Sequence, residues 1–284
     1  SYAKAIDFFQ AAVDKDPGFA QAYAGLASVY SALGIMNLAP PAEMWPKAKT
    51  YLQKALALDD DLAEAHAVAA TLAFWYEWDW EAAGRSFDRV LSLNPGDALS
   101  HGMRGWYLLN RRRFPESIGE INKALELDPL MPLFYAWSVG LNWSVGRPDD
   151  ALREFAKAME IDPNLGLAYF HAGMAYYLKG LWDEAAEALE KGKKLFAPPG
   201  WADGMLGLIA LRKGDRDRAA RGLDAAIERK KAVKHTSSAA LAWVAAELGR
   251  LDLAFELMNK AYEERDTLMG FVHVYTELLT PALA

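Results

Sequence analysis

PLFYAWSVGLNWSVGRPDDALREFAKAMEIDP, residues 132–163, has the pattern of two helices joined by a glycine turn and closed by a proline. The apolar spacing predicts a first helix over residues 133–145 and a second over residues 149–160. Gly146 is expected to take the left-handed conformation that ends a helix, and Pro163 cannot continue the second one. The stretch therefore predicts a helical hairpin.

The same arrangement returns along the chain at a spacing of about 34 residues. A small residue marks one position in every unit, at Ala48, Ala83, Ser117, Ala151, Ala185, Ala219 and Ala254. Glycines follow the first helix at Gly180, Gly214 and Gly249, and prolines follow the second at Pro17, Pro95 and Pro129. A fixed period of this length is typical of stacked repeats, in which each unit buries its apolar face against its neighbours. We therefore expect one continuous array and no separate enzyme domain.

Composition and charge exclude several classes of partner and site. The formal net charge is −7, which disfavours a phosphate-binding surface, so no nucleic acid is expected to bind. The chain has no cysteine, which excludes disulfides, thiolate metal sites and cysteine nucleophiles while leaving the compartment open. No uninterrupted apolar run approaches the roughly 18 residues that cross a bilayer, so direct membrane insertion is not expected.

One unit after the hairpin above reads Tyr169, Ala172, Gly173, Tyr176, Gly180, Ala185, Leu189 and Gly192. An earlier unit reads His101, Gly105, Ser117, Ile121, Ala124 and Pro129. This pattern resembles the tetratricopeptide repeat family over nearly the full chain. The resemblance implies an all-α fold, a right-handed α-solenoid, acting as a non-enzymatic scaffold that binds a protein or peptide.

The repeat boundaries follow from this register. We divide the single array into a half repeat at 1–17, a repeat with an insertion at 34–43 over 18–60, repeats at 61–95, 96–129, 130–163, 164–199, 200–231 and 232–266, and a C-terminal cap or tail at 267–284. The insertion is expected to project as an ordered loop or short helix. The segment after residue 266 is expected to cover the last apolar face.

Three departures from the family pattern are similar to a bacterial subgroup. They are the insertion around Pro40 and Pro41, the residues Trp78, Asp79 and Trp80, and the stretch 261–265. Such arrays form the C-terminal part of winged-helix transcription activators, nucleotide cyclases or receptor-type Ser/Thr kinases. The resemblance implies a regulatory or sensing part of a larger bacterial protein, in the cytoplasm or outside it.

The first helices of family members line a concave groove, and large apolar residues fall on that face here. The predicted peptide-binding residues are Phe74, Trp106, Leu109, Leu133, Trp143, Phe170, Met174, Tyr177, Leu208 and Trp243. We expect them to form an exposed apolar strip that accepts an apolar or amphipathic segment. The alternative is that an aromatic stripe at helical spacing packs between neighbouring helices.

No residue pattern predicts chemistry. The five histidines are scattered, without the helical pair spacing of a metal site, and no phosphate-binding glycine loop is present. We therefore expect no cofactor, no metal and no catalytic residue. Two alternatives to peptide binding stay open: self-association through Tyr2, Ile6 and Phe9 or through the tail 271–283, and a small-molecule sensor pocket inside the superhelix.

Overall fold

The computed structural model describes residues 2–195, 200–233 and 236–279, and within these ranges it is built from sixteen α-helices without strands. The helices are α1 (Tyr2–Lys15), α2 (Ala20–Ile35), α3 (Pro41–Leu58), α4 (Ala63–Leu72), α5 (Trp80–Leu93), α6 (Ala98–Asn110), α7 (Phe114–Leu127), α8 (Pro132–Ser144), α9 (Pro148–Ile161), α10 (Gly166–Leu178), α11 (Trp182–Leu195), α12 (Trp201–Arg212), α13 (Arg216–Ala232), α14 (Ser238–Glu247), α15 (Leu251–Glu263) and α16 (Val272–Leu279). A π-helical turn, Ala73–Glu77, extends α4, and a 3₁₀ turn, Thr267–Phe271, precedes α16. In these ranges no helix is both long and apolar enough to span a membrane.

Seven helical hairpins follow one another from α2 to α15. Each even-numbered helix from α2 to α14, called a first helix below, packs against the helix that follows it. First helices also pack on one another, as α6 does on α8 and α12 on α14. Stacking of hairpins in one direction produces a right-handed α-solenoid with the first helices on its concave side. The predicted all-α fold is confirmed.

The turns inside the hairpins depend on residues with positive φ. Gly146 has a φ of 76° and Gly214 one of 80°, as the helix-ending pattern predicts. Two earlier hairpins place Trp78 and Arg112 at the corresponding turns, with φ values of 58° and 56°. A side chain is strained in this region, so glycine suits these turns best and its recurrence made them visible in the sequence.

The small residues that mark the repeat lie where the two helices of a hairpin meet. Ala83, Ser117, Ala151 and Ala185 are completely buried, while Ala254 in the last hairpin is partly exposed. The Ser117 hydroxyl donates to the carbonyl of Gly105 on the partner helix at 2.8 Å. Small side chains at this position allow the two backbones to approach closely.

The insertion at 34–43 does not project from the array, so this expectation is wrong. The helix α2 ends at Ile35, residues 36–40 form a turn, and α3 starts at Pro41, a residue favoured at the first helical position. The turn folds inward: Asn37 is 1% exposed, and Met36 packs against an apolar cluster built from α8, α9 and α10. The added residues lengthen α3 and cover part of the concave side.

The first two hairpins, α2–α3 and α4–α5, touch the end of the last repeat and the start of the C-terminal segment. The Thr267 hydroxyl donates to the carbonyl of Ile35 at 3.0 Å. The guanidinium of Arg265 lies 4.4 Å from the ring centre of Trp78, and the rings of Trp78 and Tyr262 are 5.2 Å apart. The superhelix therefore closes into a ring, and we call this contact the seam.

The C-terminal segment, residues 267–279, contacts the last repeat at Trp243 and continues past it over the concave side. It turns back at Asp266, whose buried carboxylate accepts from Ser237 Oγ at 2.7 Å and from the backbone amides of Ala239 and Leu268, each at 3.1 Å. This anchor directs the segment into the concave side of the ring. Residues 280–283, part of the tail considered for self-association, lie outside the described residues.

Candidate functional site: a concave groove that holds the C-terminal segment

The predicted site residues lie on the concave side, but they are not an exposed strip. Nine of the ten are buried, among them Phe74, Trp143 and Leu208 at 1% exposure or less, while Leu133 is partly exposed and packs against the same cluster as Met36. The expectation of a solvent-exposed strip is wrong, because the C-terminal segment and the turn at residues 36–40 cover part of this surface and neighbouring helices pack against the rest. We call the surface of the first helices under the C-terminal segment the groove.

Phe271 fills one end of the groove. Its side chain is 2% exposed, and its ring centre lies 5.8 Å from that of Phe74, 5.2 Å from Trp75 and 5.9 Å from Trp106. These rings come from the π-helical turn and from α6. Tilted and edge-on aromatic contacts of this kind add to the free energy gained by burial.

Tyr275 fills the middle of the groove, one helical turn further along. Its ring stacks on Phe271 at 5.4 Å and lies 5.1 Å from Trp143 and 6.3 Å from Trp243. Burial raises the pKa of the Tyr275 hydroxyl, which hydrogen-bonds to Ser144. Residues 271, 275 and 279 thus present one face of a helix, at four-residue spacing, to the first helices.

Polar side chains at the ends of the first helices hold the backbone of the segment. The Asn110 amide donates to the carbonyl of Gly270, and the Tyr177 hydroxyl and the Arg212 guanidinium donate to the carbonyl of Leu279 at 2.9 and 3.1 Å. Asn110 and Arg212 are the last residues of their helices, and Tyr177 is the last but one. The groove therefore combines aromatic contacts with hydrogen bonds along one edge.

An exposed ion pair adds to these contacts. Arg112 Nη2 lies 2.6 Å from Glu277 Oε1 and also donates to the carbonyl of His273 at 3.2 Å. Hydrogen bonding to Arg112 lowers the pKa of Glu277 and raises that of Arg112. Pairs this exposed contribute little to stability, so the aromatic contacts carry most of the docking energy.

Some predicted site residues contact other first helices in addition to, or in place of, the segment. Phe170 lies against Trp201 at 5.6 Å and His171 at 5.3 Å, so it joins α10 to α12. This is the packing role that the alternative interpretation gave to the aromatic stripe. Three polar residues were not among the predicted site residues although each occupies the last position of a first helix: Asn110, Ser144 and Arg212.

His171 is a buried hydrogen-bond acceptor at the centre of the array. The Trp143 indole Nε1 donates to its Nδ1 at 3.2 Å, and the Trp106 ring lies 5.8 Å away. Burial lowers the pKa of His171 to about 3. The imidazole therefore stays neutral at physiological pH and serves the packing of two tryptophans.

We expect the stability of the fold to fall in mild acid because of His171. Its pKa is about 3 when folded and 6.5 as the reference value, so the unfolded chain takes up the proton first as the pH falls. This contribution is complete above pH 6.5 and declines by about 1.4 kcal/mol for each pH unit between these two values. Urea unfolding at pH 7 and pH 5 measures it. His171→Gln keeps an acceptor for Trp143 and should reduce the difference in the free energy of unfolding between the two pH values. An equal difference in the two proteins would contradict the prediction.

A small cavity of about 140 Å³ lies at the seam, lined in part by Asn37, Pro40, Thr236 and Glu264. Its acidic groups already have partners, since Glu264 lies 2.7 Å from Lys230 Nζ. Among the described residues, no group of three or more histidines and carboxylates is placed to hold a metal ion. The cavity therefore offers little to the small-molecule alternative.

The same solenoid is found in solved structures of other proteins. PilF of Pseudomonas aeruginosa is 20% identical with a TM-score of 0.50, and the matched region covers 72% of this chain and 91% of the PilF chain. The type IV pilus biogenesis factor PilW is 19% identical with a TM-score of 0.55, covering 70% and 91%. A chain of the APC/C heterotetramer Cut9–Hcn1 is 13% identical with a TM-score of 0.67, covering 100% and 53%. Similarity at this level of identity shows the fold.

Sequence comparison gives the family. No curated protein matches the sequence. The family model described as tetratricopeptide repeat matches residues 69–132, 142–198 and 205–267, which together make up more than half of the chain. These segments cover most of the hairpins from α4 to α15, with their recurring glycines and small residues. The chain belongs to the tetratricopeptide repeat family.

Proposed function

We propose that this array is a protein-interaction scaffold whose groove binds an amphipathic helix with aromatic and aliphatic side chains at four-residue spacing. Tetratricopeptide repeat proteins mediate protein–protein interactions and generally act without catalysis. The observation that supports the finer proposal is the C-terminal segment itself, which lies in the groove as such a helix. It is an internal example of the ligand.

The apolar contacts are large enough for binding in trans. Burial of each large apolar side chain contributes about 1.5–3 kcal/mol, and association costs roughly 4–15 kcal/mol. Phe271 is 2% exposed, Tyr275 6% and Leu279 1%, so a helix with three such anchors gains enough to offset the lower part of that cost. Moderate affinity is therefore expected from a free helix.

The segment competes with any partner for the same surface. Its covalent link gives it a high effective concentration at the groove, which a separate helix does not have. At the same time the described part of α16 has eight residues, and isolated helices shorter than about 12–15 residues are marginal in water. Its order therefore depends on the groove, and we expect it to leave the groove more readily than the hairpins unfold.

The proposal is tested with the full chain and a fluorescent peptide that carries the sequence of residues 266–279. Fluorescence anisotropy should show weak binding to the unaltered chain and at least about tenfold tighter binding to Phe271→Ala/Tyr275→Ala, because the internal competitor is weakened. Hydrogen exchange should show that, relative to the unaltered chain, Phe271→Ala/Tyr275→Ala loses protection in α16 and keeps it in the hairpins.

A matched control removes the same two side-chain types from α1, where Phe8 is 75% and Tyr2 42% exposed. Phe8→Ala/Tyr2→Ala should bind the peptide as weakly as the unaltered chain. If the peptide does not bind Phe271→Ala/Tyr275→Ala although hydrogen exchange shows that its hairpins are still protected, the proposal is refuted. Equal binding to all three proteins would show that the peptide binds outside the groove.

The control variant also tests the second candidate, self-association through α1, which the exposure of Phe8 and Tyr2 supports. Ile6 and Phe9, which were expected at this surface, are instead partly buried against the core of the array. Light scattering at two concentrations should show a larger mass for the unaltered chain than for Phe8→Ala/Tyr2→Ala. Equal monomer mass for both proteins would exclude self-association through α1.

A regulatory setting, as in the bacterial arrays that this chain resembles, fits a groove whose occupant is exchanged.

A further inference from the structure

We infer that the groove selects the direction of its bound helix through Tyr177 and Arg212, which hold the carbonyl at the C-terminal end of that helix. The inference rests on the proposed function and specifies its ligand. In the C-terminal segment this carbonyl belongs to Leu279, the last described residue of α16. Both side chains donate to it, the hydroxyl at 2.9 Å and the guanidinium at 3.1 Å.

Three consecutive first helices build this site. Tyr177 lies at the end of α10, Arg212 ends α12 and Glu247 ends α14, so equivalent positions of neighbouring repeats meet. Glu247 accepts two hydrogen bonds from Arg212, at 3.1 and 3.2 Å, and fixes the plane of the guanidinium. The Glu247 side chain is 12% exposed and that of Arg212 27%, so the pair is largely shielded from water.

The hydrogen-bond order gives Tyr177 a defined role. Arg212 Nε donates to the Tyr177 hydroxyl oxygen at 3.0 Å, so the proton of the hydroxyl is left for the carbonyl of Leu279. Burial raises the pKa of Tyr177, which keeps this proton in place. The hydrogen bond to Glu247 raises the pKa of Arg212, so the guanidinium stays charged. The site is thus a preorganised pair of donors.

Such a pair distinguishes the two ends of a helix. The last carbonyls of a helix lack partners within it and carry partial negative charge, whereas the first amides lack acceptors and carry partial positive charge. A helix in the direction of α16 therefore brings acceptors to Arg212 and Tyr177. A reversed helix would bring N–H groups against two donors and leave both unsatisfied.

The other end of the groove holds the segment without a hydrogen bond to a backbone N–H of α16 among the described residues, and the Asn110 carbonyl there accepts from the His273 side chain at 3.0 Å. Phe74 and Trp75 line this end, and the Trp75 indole Nε1 finds no hydrogen-bond partner among the described residues. Asn110 at this end also donates, to the carbonyl of Gly270. The ligand is therefore a helix that is aromatic at its first and second anchor and aliphatic at its third, with a free carbonyl at the third.

The experiment compares two peptides on the full chain carrying Phe271→Ala/Tyr275→Ala. The forward peptide has the sequence of residues 266–279, and the retro peptide has the same residues in reverse order, which keeps composition and anchor spacing. We expect the forward peptide to bind at least about tenfold more tightly. In the same chain Arg212→Gln should weaken forward binding about tenfold, and Tyr177→Phe about threefold.

Arg153→Gln is the matched control, because Arg153 is 69% exposed and pairs with Asp150 on the outer helix α9. It should leave both affinities unchanged. Since Arg212→Gln leaves Glu247 without its cation, Arg212→Gln/Glu247→Gln provides a second variant with balanced charge, and Tyr177→Phe removes only a hydroxyl. Circular dichroism verifies folding.

The outcomes separate the two proposals. Equal binding of forward and retro peptides, or forward binding that neither Arg212→Gln nor Tyr177→Phe weakens, would overturn directional selection while leaving groove binding intact. Failure of both peptides to bind would overturn the proposed function and this inference together. Loss of the preference for the forward peptide in Arg212→Gln/Glu247→Gln would support directional selection.

Discussion

Trp143→Ala is expected to lower the free energy of unfolding by about 3–5 kcal/mol, because it removes a large side chain from a closely packed interior. The Trp143 side chain is 1% exposed and lies 5.1 Å from the ring of Tyr275. It also donates to His171, so truncation leaves a buried acceptor without its partner. Urea unfolding followed by circular dichroism measures the change.

Phe8→Ala provides the comparison, since this side chain is 75% exposed and its loss should change stability by less than about 0.5 kcal/mol. A cost below 1 kcal/mol for Trp143→Ala would show that the residue is not part of the packed interior. The prediction also affects how binding is tested. Alanine variants of Trp106 and Trp143 disturb the fold itself, whereas Phe271 and Tyr275 lie on the element that is to be displaced.

Gly204→Ala is expected to destabilise the array by about 1–3 kcal/mol or more, because α12 and α14 touch at this residue. A methyl group on Gly204 would lie 2.6 Å from the carbonyl oxygen of Ala240 and 2.9 Å from its carbonyl carbon. Backbone atoms cannot rotate away as a flexible side chain can, so the two helices must separate. Thermal and urea unfolding should both show the loss.

Gly222→Ala is the matched control, on the exposed face of α13. A methyl group there meets nothing within 4 Å. Alanine is favoured over glycine inside a helix by about 0.8–1.0 kcal/mol, so this variant should be more stable than the unaltered chain. The same chemical change is thus expected to act in opposite directions at the two sites. Equal effects would contradict the close helix approach at Gly204.

Much of the fold could be predicted from the sequence because its determinants are local and repeated. Gly146 ends a helix through its own φ, and Ala151 and Ala185 report a close contact within one hairpin. A period of about 34 residues makes each such signal visible several times. The repeat register also indicated the side of the array on which Phe74, Trp106 and Trp143 lie.

The position of the C-terminal segment could not be predicted in this way. Phe271 and Tyr275 show the same four-residue spacing whether their helix caps the last repeat or turns into the groove. Asp266 decides between the two through hydrogen bonds to Ser237 and Ala239, which depend on folded geometry. Contacts such as Thr267 with Ile35 join residues from opposite ends of the sequence, where no periodicity applies.

The directional site was missed for a related reason. Tyr177, Arg212 and Glu247 follow one another at spacings of 35 residues, so their alignment was present in the sequence. Nothing local distinguishes them from exposed residues at helix ends, where charged side chains are common. Their importance depends on the carbonyl of Leu279, which reaches them only after the segment has folded back.

The seam changes how this array is expected to lose its structure. Open solenoids have two free ends, and terminal units can fray one after another while the middle persists. Here Arg265 lies on Trp78 of the second hairpin, and Thr267 bonds to Ile35 at the end of α2, so the N-terminal hairpins and the C-terminal region support each other. Melting should therefore begin with a single breach of the ring, followed by all hairpins together, and the transition should be sharper than for an unclosed spiral of equal length.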